Sequence, residues 1–153
     1  MKSLLRFSAI LCLLFIGISC SNNDDNSSPV IVTFTASLTP VTGATSTASG
    51  DATLKLNQTA KTFEIKVNFT GLTPIHGHVH NAAKAIVIPF PDSSVSTSPI
   101  TVSGTLTDTQ IAELMANQYY VNLHTTAYPD GEISGTLIKT GTSGGGGGGG
   151  GGY

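Results

Sequence analysis

The sequence has no tryptophan, two cysteines and few charges of either sign. The scarcity of cysteine decides what can staple the fold. Cys12 lies in an apolar amino-terminal run, Cys20 follows it, and no cysteine occurs after that. An internal disulfide is therefore excluded from residues 30–139, and packing must hold that region together. Basic residues are also scarce: Arg6 is the single arginine, and no Lys/Arg run occurs. Phosphate recognition needs clustered cations, so nucleic acid is not expected as a partner. No long apolar run exists either. The longest, Phe7 to Ile18, is interrupted by Ser8 and Gly17. It is about a dozen residues long, against the roughly 20 that a membrane-spanning helix needs. The glycine run stands at the end of the chain and precedes no helix, so it is not a phosphate-cradling loop.

What the amino terminus does contain is a leader pattern. Met1, Lys2 and Arg6 form a basic start, and the short apolar run follows as the core of a cleaved signal peptide, residues 1–19. Gly17-Ile18-Ser19-Cys20 then resembles a bacterial lipobox, in which the cysteine is lipidated and becomes the first mature residue. The small residues Gly17 and Ser19 also suit ordinary signal peptidase. That cleavage would leave Cys20 as a lone thiol on an exported protein, which favours lipidation. Residues 20–29 hold no apolar side chain beyond Cys20 except Pro29, and read as a disordered acidic tether. Asp24 and Asp25 resemble a surface-export signal, so the expected location is the outer membrane, lipid-anchored and facing the cell surface, with the periplasmic face as the alternative. Without residues 1–19 the chain keeps five basic residues against nine acids, a net charge of −4.

Residues 30–139 read as one antiparallel β domain. Phe63, Ile65, Val67 and Phe69 alternate with Glu64, Lys66 and Asn68, the period-two pattern of a half-buried strand. Further strands are expected at Val30 to Leu38, Ala52 to Asn57, Ile100 to Leu106, Tyr119 to Thr125 and Glu132 to Leu137, with turns at residues 57–61 and 128–131. One short helix carries Ile111, Leu114 and Met115, with Asp108 as its expected cap. About seven strands with intervening turns predict an all-β sandwich of immunoglobulin-like or superoxide-dismutase-like Greek-key type.

The candidate chemistry lies in the histidines. His76, His78 and His80 fall in one segment, and His124 in another. In an extended strand the first three share a face, with neighbours two apart separated by about 7 Å. If Val121 and Leu123 face the core, His124 faces outward and can meet them across a strand pair. Several imidazoles, with no cysteine and no methionine nearby, favour zinc or copper over calcium or magnesium. Histidines on a strand also serve purely as hydrogen-bonding groups, so a structural role stands as the competing reading.

Gly71-Leu72-Thr73-Pro74, His78-Val79-His80, Tyr120-Val121-Asn122-Leu123-His124-Thr125 and Pro129-Asp130-Gly131-Glu132-Ile133-Ser134-Gly135 together resemble the CHRD domain. The resemblance covers about residues 30–138 and implies an exported domain without assigning an activity. Gly71 to His80 is also distantly similar to the copper-ligand strand of copper/zinc superoxide dismutase, with His78 and His80 matching two ligands and His124 a third in role. No cysteine pair follows, no arginine occurs after Arg6, and the domain is negative where an anionic substrate favours positive steering. Dismutase activity, and enzymatic activity in general, is not expected. Residues 140–153 read as a disordered tail, in which Gly144 onward could dock a protein partner with Tyr153 as anchor. The sequence thus supports a lipid-anchored binding protein holding copper or zinc through His78, His80, His124 and His76. The alternative is an adhesion or complex-assembly subunit with structural histidines. Replacing the lipidated residue tests the anchor: Cys20→Ser should abolish lipid labelling and release the protein from the membrane fraction. Equal membrane recovery of variant and wild type would refute it.

Overall fold

The computed structural model describes residues 28–144. The signal segment, Cys20, residues 20–27 of the tether and the chain from 145 to Tyr153 lie outside the described residues. Nine strands and one helix follow in order: β1 (Ile31–Pro40), β2 (Ser49–Asn57), β3 (Thr62–Thr70), β4 (His76–His80), β5 (Ile86–Pro89), β6 (Ile100–Thr105), α1 (Asp108–Met115), β7 (Tyr120–His124), β8 (Ile133–Thr136) and β9 (Ile138–Ser143). The antiparallel all-β class with one short helix agrees with the sequence, but the strand count is nine rather than about seven. The two additional strands are β5 and β9. Neither alternates cleanly: β5 is four residues with one fully buried side chain, and no residue of β9 is buried. An edge strand with little buried surface leaves no period-two signal to read. β9 also runs to Ser143, so the expected domain end at Lys139 falls inside a strand.

All strand pairs are antiparallel, in the order β5-β4-β7-β8-β1-β2-β3-β6. β1 is the shared strand. One of its edges pairs with β2 from Ile31 to Leu38. Its other edge is divided: β9 takes Ile31 to Thr35, and β8 takes Thr39 and Pro40. The chain passes from β8 to β9 through Leu137, which is fully buried. The sheet therefore curls over itself into a sandwich-like form. One core gathers Val32, Phe34, Leu54 and Ile65 from one half with Val79, Val121, Leu123 and Ile133 from the other. The alternation in β3 is as the sequence predicts, with Phe63, Ile65, Val67 and Phe69 inward.

The helix packs against this core. Its N-cap is Thr107, not Asp108. The Thr107 hydroxyl accepts from the Gln110 backbone N–H, and the Gln110 side chain accepts from the Thr107 N–H. This reciprocal capping box satisfies two donors that would otherwise lack partners. Asp108 becomes the first helical residue, where its carboxylate favours the helix dipole and pairs with Lys61. Leu114 is fully buried, and Ile111 and Met115 pack against the core. Tyr119, also fully buried, donates from its hydroxyl to Glu113 Oε2 at 3.0 Å. Burial, reinforced by that bond, raises the Tyr119 pKa well above the ordinary phenol value. Tyr119→Phe removes the hydroxyl and should lower stability by about 1–2 kcal/mol, read by urea denaturation with an unchanged m-value.

Candidate metal centre

Strand parity places the histidines. In β4, Gly77 and Val79 face the core, while His76, His78 and His80 take the other face and run from exposed through half-buried to buried. Gly77 has no room for a side chain, because a Cβ there would lie 2.7 Å from Phe90 and 2.8 Å from Leu123. In β7, Val121 and Leu123 face the core, so Tyr120, Asn122 and His124 stand on the face of the β4 histidines. The register sets His76 opposite His124, His78 opposite Asn122, and His80 opposite Tyr120.

Three of the four histidines converge. One ring nitrogen from each of His78, His80 and His124 lies within 4.8 Å of the others. His78 Nδ1 is 3.4 Å from His124 Nε2. A tetrahedral ion with bonds of 2.0–2.1 Å would set two ligand nitrogens about 3.3–3.4 Å apart. That separation is close to the tetrahedral value; without an ion, and with the His124 proton on Nδ1, it is a hydrogen bond donated by His78 Nδ1–H to His124 Nε2. The rings of His78 and His124 are half-buried, and that of His80 is buried. His76 is placed differently. Its Nδ1 contacts Asp92 Oδ1 at 2.9 Å in an exposed pair, and its ring stacks at 6.4 Å on that of His78.

Backbone carbonyls fix the ring orientations. His80 Nδ1 donates to Lys84 O at 3.1 Å, and His124 Nδ1 donates to Pro129 O at 2.9 Å. A proton on Nδ1 leaves the Nε2 lone pair free, which is how most metal-binding histidines are prepared. His80 is only 9% exposed, and its Nε2 is buried without a hydrogen-bond partner among the described residues. An unsatisfied buried lone pair is costly, and a metal ion would satisfy it. The donor set therefore fits copper or zinc. Around it, Tyr120 stacks on His80 with ring centroids 5.2 Å apart. Asn122 is 7% exposed and donates from Nδ2 to Asp130 O at 3.0 Å.

The turn that presents Pro129 O is tightly built. Gly131 N donates to Tyr128 O at 3.0 Å, the bond expected of the four-residue turn read at 128–131. Gly131 has φ +124°, and a Cβ there would collide with the Asn122 amide. Glu132 anchors the far side: its two carboxylate oxygens accept from Ser46 Oγ and Thr125 Oγ1, both at 2.6 Å.

Parity and the histidines were legible in the sequence. Asp92, Asn81, Lys84 and the bond from Asn122 to Asp130 O were not. Asn81-Ala82-Ala83-Lys84-Ala85 does carry an Asx-turn signal, an asparagine followed by small residues, that could have found the turn beside His80. Asp92 is brought to His76 only by the fold, and no local pattern marks it.

The electrostatics suit neutral imidazoles. Burial first, then the like charges of His124, His80 and His76, hold the His78 ring below its ordinary pKa of 6.5. Burial also lowers His124, against the Pro129 carbonyl, which acts in the raising direction. The unfolded chain therefore binds protons below pH 6.5 that the native chain refuses. Stability is complete above the ordinary value and is lost as pH falls through the depressed ones. Thermal melting of the metal-free protein from about pH 7.5 down to about pH 5 should show this decline, and His78→Gln should flatten it. Gly131→Ala should cost about 1–3 kcal/mol in urea denaturation, since it adds backbone strain and a collision with Asn122.

The chain matches no curated protein and no solved structure. The family described as the CHRD domain matches residues 30–137, which span all the strands up to β8 and every residue of the histidine cluster. The chain belongs to the CHRD domain family.

Proposed function

We propose that this CHRD domain is a metal-binding module that holds one copper or zinc ion through His78 Nδ1, His80 Nε2 and His124 Nε2, carried on an exported protein anchored by lipid at Cys20. Family membership supports a binding role. The observation that carries the metal reading is the convergence of three imidazoles from two strands, with the buried His80 Nε2 lacking a hydrogen-bond partner among the described residues. The carbonyls of Lys84 and Pro129 support it by occupying the opposite nitrogens. Bound there, the ion would lock β4 to β7 through side chains as well as through the backbone ladder. The competing adhesion reading needs no such arrangement of lone pairs.

Calorimetric titration of the untagged full chain with Cu(II) and Zn(II) near pH 7.5 is the test. Both ions should bind, copper more tightly, following the general affinity order. An ion held only by the native state stabilises it, by about 2.7 kcal/mol at a hundredfold excess over Kd, so the melting temperature should rise by several degrees. His80→Ala and His124→Ala should each remove most of that rise, because they come from different strands. His76→Ala should remove little, since that ring is held by Asp92. Binding should weaken below about pH 6.5 as protons compete for the same nitrogens. A Kd weaker than about 100 μM, near −5.5 kcal/mol, for both ions would overturn the reading and favour adhesion.

A further inference from the structure

We infer that Asn81 is a positioning residue for the metal centre, acting through the Lys84 carbonyl to fix which nitrogen of His80 carries the proton. The inference rests on the metal-binding reading above and adds a residue that touches neither the ion nor its ligating nitrogens.

The turn after β4 is built around Asn81. Its Oδ1 accepts two backbone N–H groups, from Ala83 at 3.1 Å and Ala85 at 3.0 Å. Its own backbone closes the same loop, with Lys84 N donating to Asn81 O at 2.9 Å and Asn81 N donating to Ala85 O at 3.0 Å. Four hydrogen bonds thus converge on one residue. They hold Lys84 at φ +63°, a left-handed conformation that a lysine rarely adopts unaided. The consequence is directional. In that conformation the Lys84 carbonyl turns back toward β4 and accepts from His80 Nδ1 at 3.1 Å. A register irregularity between Val79 and His80 in the β4–β5 pair lies beside the turn.

The energetic logic is simple. A neutral imidazole has two tautomers of similar intrinsic energy, and a metal can use Nε2 of His80 only when the proton is on Nδ1. Without the Lys84 carbonyl the ring would populate both forms, and binding would have to select one. Removing such outer contacts commonly weakens metal affinity about 10–100-fold. The opposite ligand, His124, is held by a different turn through Pro129 O, so it serves as an internal control.

The experiment uses the full chain, with ring nitrogens observed by NMR at a pH where the imidazoles are neutral, and Zn(II) titrated calorimetrically. In the metal-free wild type, His80 should be the Nδ1–H tautomer. In Asn81→Ala, His80 should become a mixture while His124 keeps its tautomer, and zinc affinity should fall about 10–100-fold. Asn81→Asp keeps an acceptor oxygen at the same place and should restore both readouts. If the alanine variant does not fold, Asn81→Ser, with a shorter acceptor, should give an intermediate mixture. A wild-type tautomer and affinity in Asn81→Ala, or in that serine variant, overturns the inference. So does a shift of His124 together with His80, which would mark a general loosening. Failure of the wild type to bind zinc or copper overturns the metal reading instead, and the ring spectra still decide whether Asn81 sets the tautomer.

Discussion

The pairing of β1 with three partners is the constraint on which the rest of this structure depends. A single edge of that strand is shared by β9 at one end and β8 at the other, and the step between them buries Leu137. That division turns one sheet into two facing halves. It also supplies the cover for Val79, Val121, Leu123 and Ile133, which would otherwise face water. Burying those side chains at about 25 cal/mol per Å² of apolar surface is a far stronger requirement than any contact the histidines make with one another. The histidines are therefore outward because their neighbours must be inward. A slip of one residue in β4 or β7 would bury the imidazoles and expose the valines, so the register that stabilises the core also composes the site.

That dependence explains what could be read from the chain beforehand. Period-two alternation is a direct image of one buried face, so β3 and the inward Val121 and Leu123 were plain. The shared face of His76, His78 and His80 followed from parity alone. The failures have the same origin. β5 and β9 bury too little to alternate, so no local pattern marks either strand. Thr107 and Asp108 are both good capping residues, and only the backbone decides which stands at the N-cap; the reciprocal Gln110 three residues after Thr107 was the signal. The separation of His76 from the other three depends on Asp92, whose position is set by the fold and not by local sequence. The tautomer-fixing carbonyls of Lys84 and Pro129 are backbone atoms, which no residue pattern names directly.

The site uses neutral groups where many metal centres use a carboxylate to orient a histidine. A carbonyl accepts the Nδ1 proton without drawing the ring toward the charged form as strongly as a carboxylate would. This suits His124, whose pKa burial lowers against the raising effect of the Pro129 carbonyl. The gradient from exposed His76 through half-buried His78 to buried His80 makes one end of the cluster accessible while the other is shielded. The deepest ring, His80, is held by the Lys84 carbonyl and His124 by the Pro129 carbonyl, while the Nδ1 of His78 meets His124 instead of a carbonyl.

Charge decides which kind of ligand such a cluster can hold. Three neutral imidazoles contribute no negative charge of their own, so the compensation for a bound ion must come from the surroundings. Asp92 and Asp130 are the carboxylates that bear on these rings, raising His78 and His124 against the dominant effect of burial. Residues 28–144 carry seven acids and five lysines, and no arginine. A field of that sign draws cations toward the cluster and repels anions. It costs affinity for an anionic ligand and adds to affinity for a divalent one. On the metal-binding reading proposed above, that field and the Nε2 of His80, which has no hydrogen-bond partner among the described residues, both favour a cation over an anion.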